Sequence, residues 1–113
     1  MKTLLQLFIA ATIFFSNSLY AQITRHTGIV VDELQSLADG TFLLISSSPA
    51  GVCTNGFKFA RVNQAGVTTI DAIDKMFAQV LAAQFSGREI VLYLDEGNVN
   101  GQGICFISRV GTN

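Results

Sequence analysis

Few side chains in this sequence are suited to chemistry, and their spacing narrows what that chemistry can be. There is a single histidine, His26, so no histidine pair exists for a typical zinc site or a base-assisted nucleophile. It sits in an extended, alternating stretch and reads as a surface or edge-strand residue. Ser46, Ser47 and Ser48 would complete a Ser-His-Asp set on paper, but no nucleophile-elbow pattern surrounds them. Consecutive serines between apolar runs are ordinary loop chemistry. Asp95, Glu96, Asn98 and Asn100, followed by Gly101, resemble the first half of a calcium loop. The residue that should supply the last bidentate carboxylate is Ile107, so a complete EF-hand loop is excluded. What remains is a weak calcium candidate set against a solvated turn, and neither a resident metal nor a cofactor is expected. Gly51, Gly56 and Gly66 lack the spacing of a phosphate-binding fingerprint. The remaining constellation is Phe57-Lys58-Phe59-Ala60-Arg61, where aromatic and basic residues alternate. Such a strand binds a ligand by stacking and charge if its polar face is outward. The competing expectation puts Phe57 and Phe59 in the core and leaves Lys58 and Arg61 exposed. Lys58 and Arg61, with Ser47 and Ser48 from the preceding loop, are the candidate ligand-binding residues, and no enzymatic activity is expected.

The segments that must position these residues begin after a leader. Lys2 precedes an apolar run from Leu4 to Phe15, then a polar stretch and Leu19-Tyr20-Ala21. This is the layout of a secretory signal peptide, residues 1–21, with cleavage after Ala21. The run is too short to span a bilayer, for which about 20 apolar residues are needed. Export to the periplasm or beyond, without a membrane anchor after cleavage, is therefore expected. Its removal leaves residues 22–113, a single small domain of 92 residues. That domain carries six basic and eight acidic side chains with interspersed signs, a net charge of −2. The balance speaks against nucleic-acid binding, which relies on clustered Lys and Arg. In an oxidising compartment the pair Cys53 and Cys105 reads as one disulfide. Neither cysteine lies in a C-x-x-C or beside a candidate base that would mark a reactive thiol.

Residues 23–37 form an extended run, in which Asp32-Glu33 marks a solvent-facing or bulged position, and Ala38-Asp39-Gly40 supplies a tight turn. Thr41 to Ile45 is apolar on both faces, and Ser46 to Gly56 is a long loop. The alternating strand Phe57–Val62 follows. Apolar residues Ile70, Ile73, Phe77, Val80 and Leu81 recur with the helical period and predict a helix from about Ile70 to Ser86. Thr68 or Thr69 caps its start, Asp71 and Asp74 suit its positive end, and Gly87 fits its exit. Strands at Arg88–Asp95 and Ile104–Val110 flank a Gly/Asn loop.

Five strands with one helix between the third and fourth is the element order of the OB-fold, a Greek-key barrel. In that barrel the third and fifth strands run parallel side by side, which brings Cys53 and Cys105 to one end. An open antiparallel sheet with one packed helix is the alternative. The helix IDAIDKMFAQVLAAQFSG, the strand REIVLYL after it and the late half-cystine in ICFISRV resemble small secreted OB-fold proteins. These include the receptor-binding B subunits of pentameric bacterial toxins, the subtilase cytotoxin type in particular, and other short exported bacterial proteins. The resemblance implies glycan binding on a barrel surface and a ring-shaped homo-oligomer, but it aligns no sugar-contacting residue. The expected function is an exported, non-enzymatic binding module for a glycan or protein ligand. The alternative is a structural protein that forms a homo-oligomer without a small ligand.

Overall fold

The computed structural model describes residues 22–112. The signal-peptide expectation for residues 1–21 lies outside the described residues. Six strands and one α-helix follow in the order β1 (Ile23–Ile29), β2 (Glu33–Ser36), β3 (Phe42–Ile45), β4 (Phe57–Ala60), α1 (Ile70–Ser86), β5 (Ile90–Asp95) and β6 (Cys105–Gly111), with a 3₁₀ turn at Glu96–Asn98. They form one mixed sheet in the order β1-β5-β6-β4-β3-β2, with one parallel pair, β4 and β6.

The count and the closure correct the five-stranded barrel. The extended run from Ile23 is broken by Val30–Asp32 into β1 and β2, which lie at opposite edges of the hydrogen-bonded sheet. The break has a local cause. The pairing of β1 with β5 shifts register between His26 and Ile29, around Gly28 at φ 69°. A positive φ of that kind is cheap only for glycine, and the resulting bulge bends the strand. Beyond it the chain leaves β5 and bonds towards β3. Val30 N–H donates to Ser48 Oγ (3.0 Å), Asp32 N–H to the Ile45 carbonyl (2.9 Å), and Ser47 N–H to Asp32 Oδ2 (2.8 Å). No ladder joins β1 to β2, so the sheet is open, yet the four steps from Ile29 to Glu33 reach at most ~14 Å. The sheet therefore curls so that the end of β1 lies near the start of β2.

The core fills this curl. Ile90, Leu92 and Leu94 of β5, Ile29, Leu44, Ala60 and Ile107 are fully buried. Helix α1 covers it with Ile73, Met76, Val80 and Ala83, and Phe77 meets Phe42 edge to face with ring centroids 5.7 Å apart. Ile70, expected on the apolar stripe, is 49% exposed because the first residue of the helix overhangs the core. Thr69 is the cap, its Oγ1 accepting from Ala72 N–H at 3.2 Å, and Gly87 ends the helix at φ 67°.

Candidate ligand-binding face

Strand β4 sets which side chains reach the surface. Phe42 lies opposite Ala60 and Leu44 opposite Lys58, while Leu43 lies opposite Phe59 and Ile45 opposite Phe57. Directly paired residues share a face. Phe42, Leu44 and Ala60 are core, so Lys58 is inward and Phe57 and Phe59 are outward. This reverses the expected arrangement. Lys58 is 1% exposed and Phe57 is 43% exposed, so Lys58 cannot anchor a surface ligand. The physical reason is complementary volume. The ring of Phe42 needs a small partner, Ala60 provides one, and the period of two then places residue 58 inside and the aromatics outside.

The buried ammonium of Lys58 is satisfied locally, donating to the Asn55 carbonyl at 3.0 Å. Burial lowers its pKa from the ordinary lysine value, because desolvation penalises the charged form. The same Asn55 is tied to the loop before β6. Its N–H donates to the Gly103 carbonyl (3.1 Å) and its Nδ2 to the Gln102 carbonyl (3.2 Å). The Cys53–Cys105 disulfide joins the same two segments at that end of the β4–β6 pair, as expected, across a sequence separation of 52.

On the outer surface the parallel pairing of Phe59 with Phe106 extends the row, giving Gln35, Leu43, Phe59 and Phe106 across four strands. Beside it lies an open cleft of about 160 Å³ lined by Phe59, Arg61, Asn100, Ile104 and Phe106. Arg61 is exposed but oriented, its Nε donating to Thr41 Oγ1 and its Nη2 to Asp39 Oδ2, each at 3.3 Å. Asp39 is held below the ordinary carboxylate range, first by the Thr41 backbone N–H and hydroxyl and then by Arg61. The face can therefore offer aromatic surface, a pre-aimed guanidinium and a side-chain amide.

Ser47 and Ser48 lie elsewhere, in the loop that shapes a second open pocket of about 290 Å³ between Ser46 and Gly56. The Ser48 hydroxyl accepts from Val30 N–H and that of Ser46 from Ser48 N–H, so these serines brace the corner rather than join Arg61. His26 stands on the edge strand β1. Its imidazole is half-buried and its Nε2 is 2.8 Å from Glu96 Oε1, where it clasps β1 to the 3₁₀ turn, with no serine hydroxyl bonded to it. Packing against Gly51 closes this clasp, since a Cβ there would meet Glu96 Oε1 at 3.0 Å and His26 Cε1 at 3.1 Å.

The calcium candidates are separated by their own bonds. Asp95 Oδ1 accepts from Gly97 N–H, Glu96 is taken by His26, Asn98 donates to Gln64 Oε1, and Asn100 Oδ1 accepts from Gln102 and Ile104 N–H. Among the described residues no group of three or more metal-ligating side chains comes together, and no helix is long and apolar enough to cross a membrane. Missed at the sequence level were Phe106 and Asn100 as members of the face. The alternation Cys105-Phe106-Ile107 around a half-cystine was the signal that could have found Phe106. No protein-family model matches this chain, and comparison with curated proteins and with solved structures finds no match.

Proposed function

We propose that this chain is an exported, non-enzymatic binding domain that docks a partner protein on the outer face of β3, β4 and β6. The observation that carries the reading is the outward pair Phe59 and Phe106, both partly exposed and backed by buried Leu43, with exposed Phe57 beside them, on a strand that buries its lysine. Aromatic side chains held on a rigid sheet and rimmed by polar groups are the usual anchors of protein interfaces. Arg61 and Asn100 at the rim suit a partner that presents an acidic group next to an apolar one. An apolar row of Phe, Leu and Ile, without tryptophan, favours a protein over a sugar.

The domain is best read as an opened variant of the OB topology, its sheet unclosed and its first strand interrupted at Val30–Asp32. The parallel β4–β6 pair, the helix between β4 and β5, and the short link between the two sheet edges support that reading. On the same basis the chain is kin to the small exported OB-fold proteins that include toxin B subunits. A disulfide suited to an oxidising compartment supports export.

The test is capture of partners from the exported protein fraction by wild type and by Phe59→Ala/Phe106→Ala, with a glycan array run in parallel. A specific partner retained by wild type and lost by the variant, at unchanged circular dichroism, is the expected result. Binding to a glycan that depends on the two phenylalanines, or equal capture by both proteins, would overturn it. A solution mass that is a multiple of the monomer and collapses in the variant would assign the face to a second copy of the chain instead.

A further inference from the structure

Two Asn-Gly steps occur in the described chain, Asn55-Gly56 and Asn100-Gly101. Both asparagines make the same local turn, Oδ1 accepting the N–H two residues on, from Phe57 in one case and Gln102 in the other, each at 2.9 Å. That Asx turn folds the side-chain carbonyl carbon, Cγ, back over the peptide nitrogen of the intervening glycine. Their surroundings differ. At Asn55 the amide Nδ2 donates to the Gln102 carbonyl at 3.2 Å, and the backbone is tied on both sides, to Gly103 and to Lys58 Nζ. The Gly56 carbonyl accepts from Ser46 N–H at 2.9 Å, and a Cβ on Gly56 would stand 3.0 Å from the Ser46 carbonyl. At Asn100 the backbone is also bonded, its N–H to the Ile104 carbonyl (3.4 Å) and its carbonyl to Gly103 N–H (3.0 Å), and the oxygen takes a second donor, Ile104 N–H at 3.1 Å, but Nδ2 makes no hydrogen bond among the described residues. Gly101 is exposed and has nothing within 4 Å of a built Cβ.

We propose that Asn100 is a site of spontaneous covalent modification, deamidation through a cyclic imide, and that Asn55 is protected from it. The Gly101 nitrogen attacks Asn100 Cγ and gives up its proton to solvent. A nitrogen–Cγ bond forms, the Cγ–Nδ2 bond breaks, and Nδ2 leaves as ammonia. Water then opens either carbonyl of the five-membered imide to give aspartate or isoaspartate. Charge builds on Oδ1 in the tetrahedral intermediate, where the Gln102 and Ile104 N–H groups already point. An unbonded Nδ2 is free to depart into solvent, and Gly101 is exposed with no neighbour crowding its Cα. At Asn55 the leaving nitrogen is held by the Gln102 carbonyl and Gly56 is packed and bonded against Ser46. Asn100 also lines the cleft with Phe59, Arg61, Ile104 and Phe106, so the product adds a carboxylate to the cleft that Arg61 lines. The chemistry is independent of the partner-docking reading, whereas its effect on docking rests on that reading.

The purified protein is aged in mildly alkaline buffer, reduced, digested with trypsin and sequenced by fragment mass spectrometry, with denatured protein aged alongside. The expected result is a gain of about 1 Da and isoaspartate at Asn100 in the native protein, at a rate near that of the denatured chain. Asn55 should react roughly tenfold or more slowly in the native protein than Asn100, a difference of about 1.4 kcal/mol in barrier, and at a similar rate once denatured. Gly101→Ala should slow Asn100 and leave Asn55 unchanged. Native Asn100 as slow as native Asn55 would overturn the proposal. Loss of partner capture by Asn100→Asp, or its retention, bears on the docking reading alone.

Discussion

Lys58 shows how one side chain decides which face of a strand does the work. Its ammonium is enclosed by the loop that supplies the Asn55 carbonyl, and desolvation lowers its pKa. A lysine whose folded pKa is lowered binds fewer protons folded than unfolded across the window below 10.5, so stability rises with pH through that window. Denaturant unfolding at increasing pH up to that limit should show this rise in wild type and lose it in Lys58→Met. A variant that kept the full slope would show that the buried ammonium is not its source. None of this was legible in the sequence, because Phe57, Phe59 and Arg61 alternate with Lys58, Ala60 and Val62, and either set has an apolar majority. The choice between them was made by Phe42 across the ladder, a residue with no local sign of its partner. The carboxylates and amides of the 95–100 stretch were legible as polar turn residues. That each is consumed by a different neighbour, His26 and Gln64 among them, needed contacts 70 and 34 residues away in sequence.

At the scale of elements, the helix was the most readable part, since period, cap and exit residue are all local signals. Its cap has a measurable consequence. Thr69→Ala removes the oxygen that accepts from Ala72 N–H and should cost about 1 kcal/mol in thermal or denaturant unfolding. The two half-cystines tie the loop before β4 to the start of β6, next to a parallel pair that a short turn could not bring together. In the chain-entropy description, closing a loop of 52 residues removes about 4 kcal/mol of freedom from the unfolded chain. Cys53→Ala/Cys105→Ala should lower unfolding stability by up to that amount, read as a shift in denaturant midpoint. A loss under 1 kcal/mol would indicate that the Asn55 bonds to Gly103 and Gln102 suffice to hold this end. The long first strand was half legible. Its extended character and the tension at Asp32-Glu33 were visible. The break into β1 and β2 depends on Gly28 forming a bulge against β5, which is a pairing event.

At the scale of the whole fold, one curled sheet and one helix among the described residues bury a single core, and that core is the foundation of the outer face. Leu92 is fully buried at its centre, so Leu92→Ala should destabilise by about 2–5 kcal/mol, seen as a lower denaturant midpoint at unchanged slope. The helix, the disulfide pairing and the placement of strands 90–95 and 105–111 followed from sequence alone, because periodicity, turn residues and an even cysteine count act locally or by elimination. The parallel β4–β6 pair was anticipated from the element order, whereas the break of the first strand, the open ladder and the outward aromatics were decided only by tertiary structure. Each of these depends on which strand lies beside which. A shift of one residue in pairing exchanges core for surface, and no local signal in this chain determines that register.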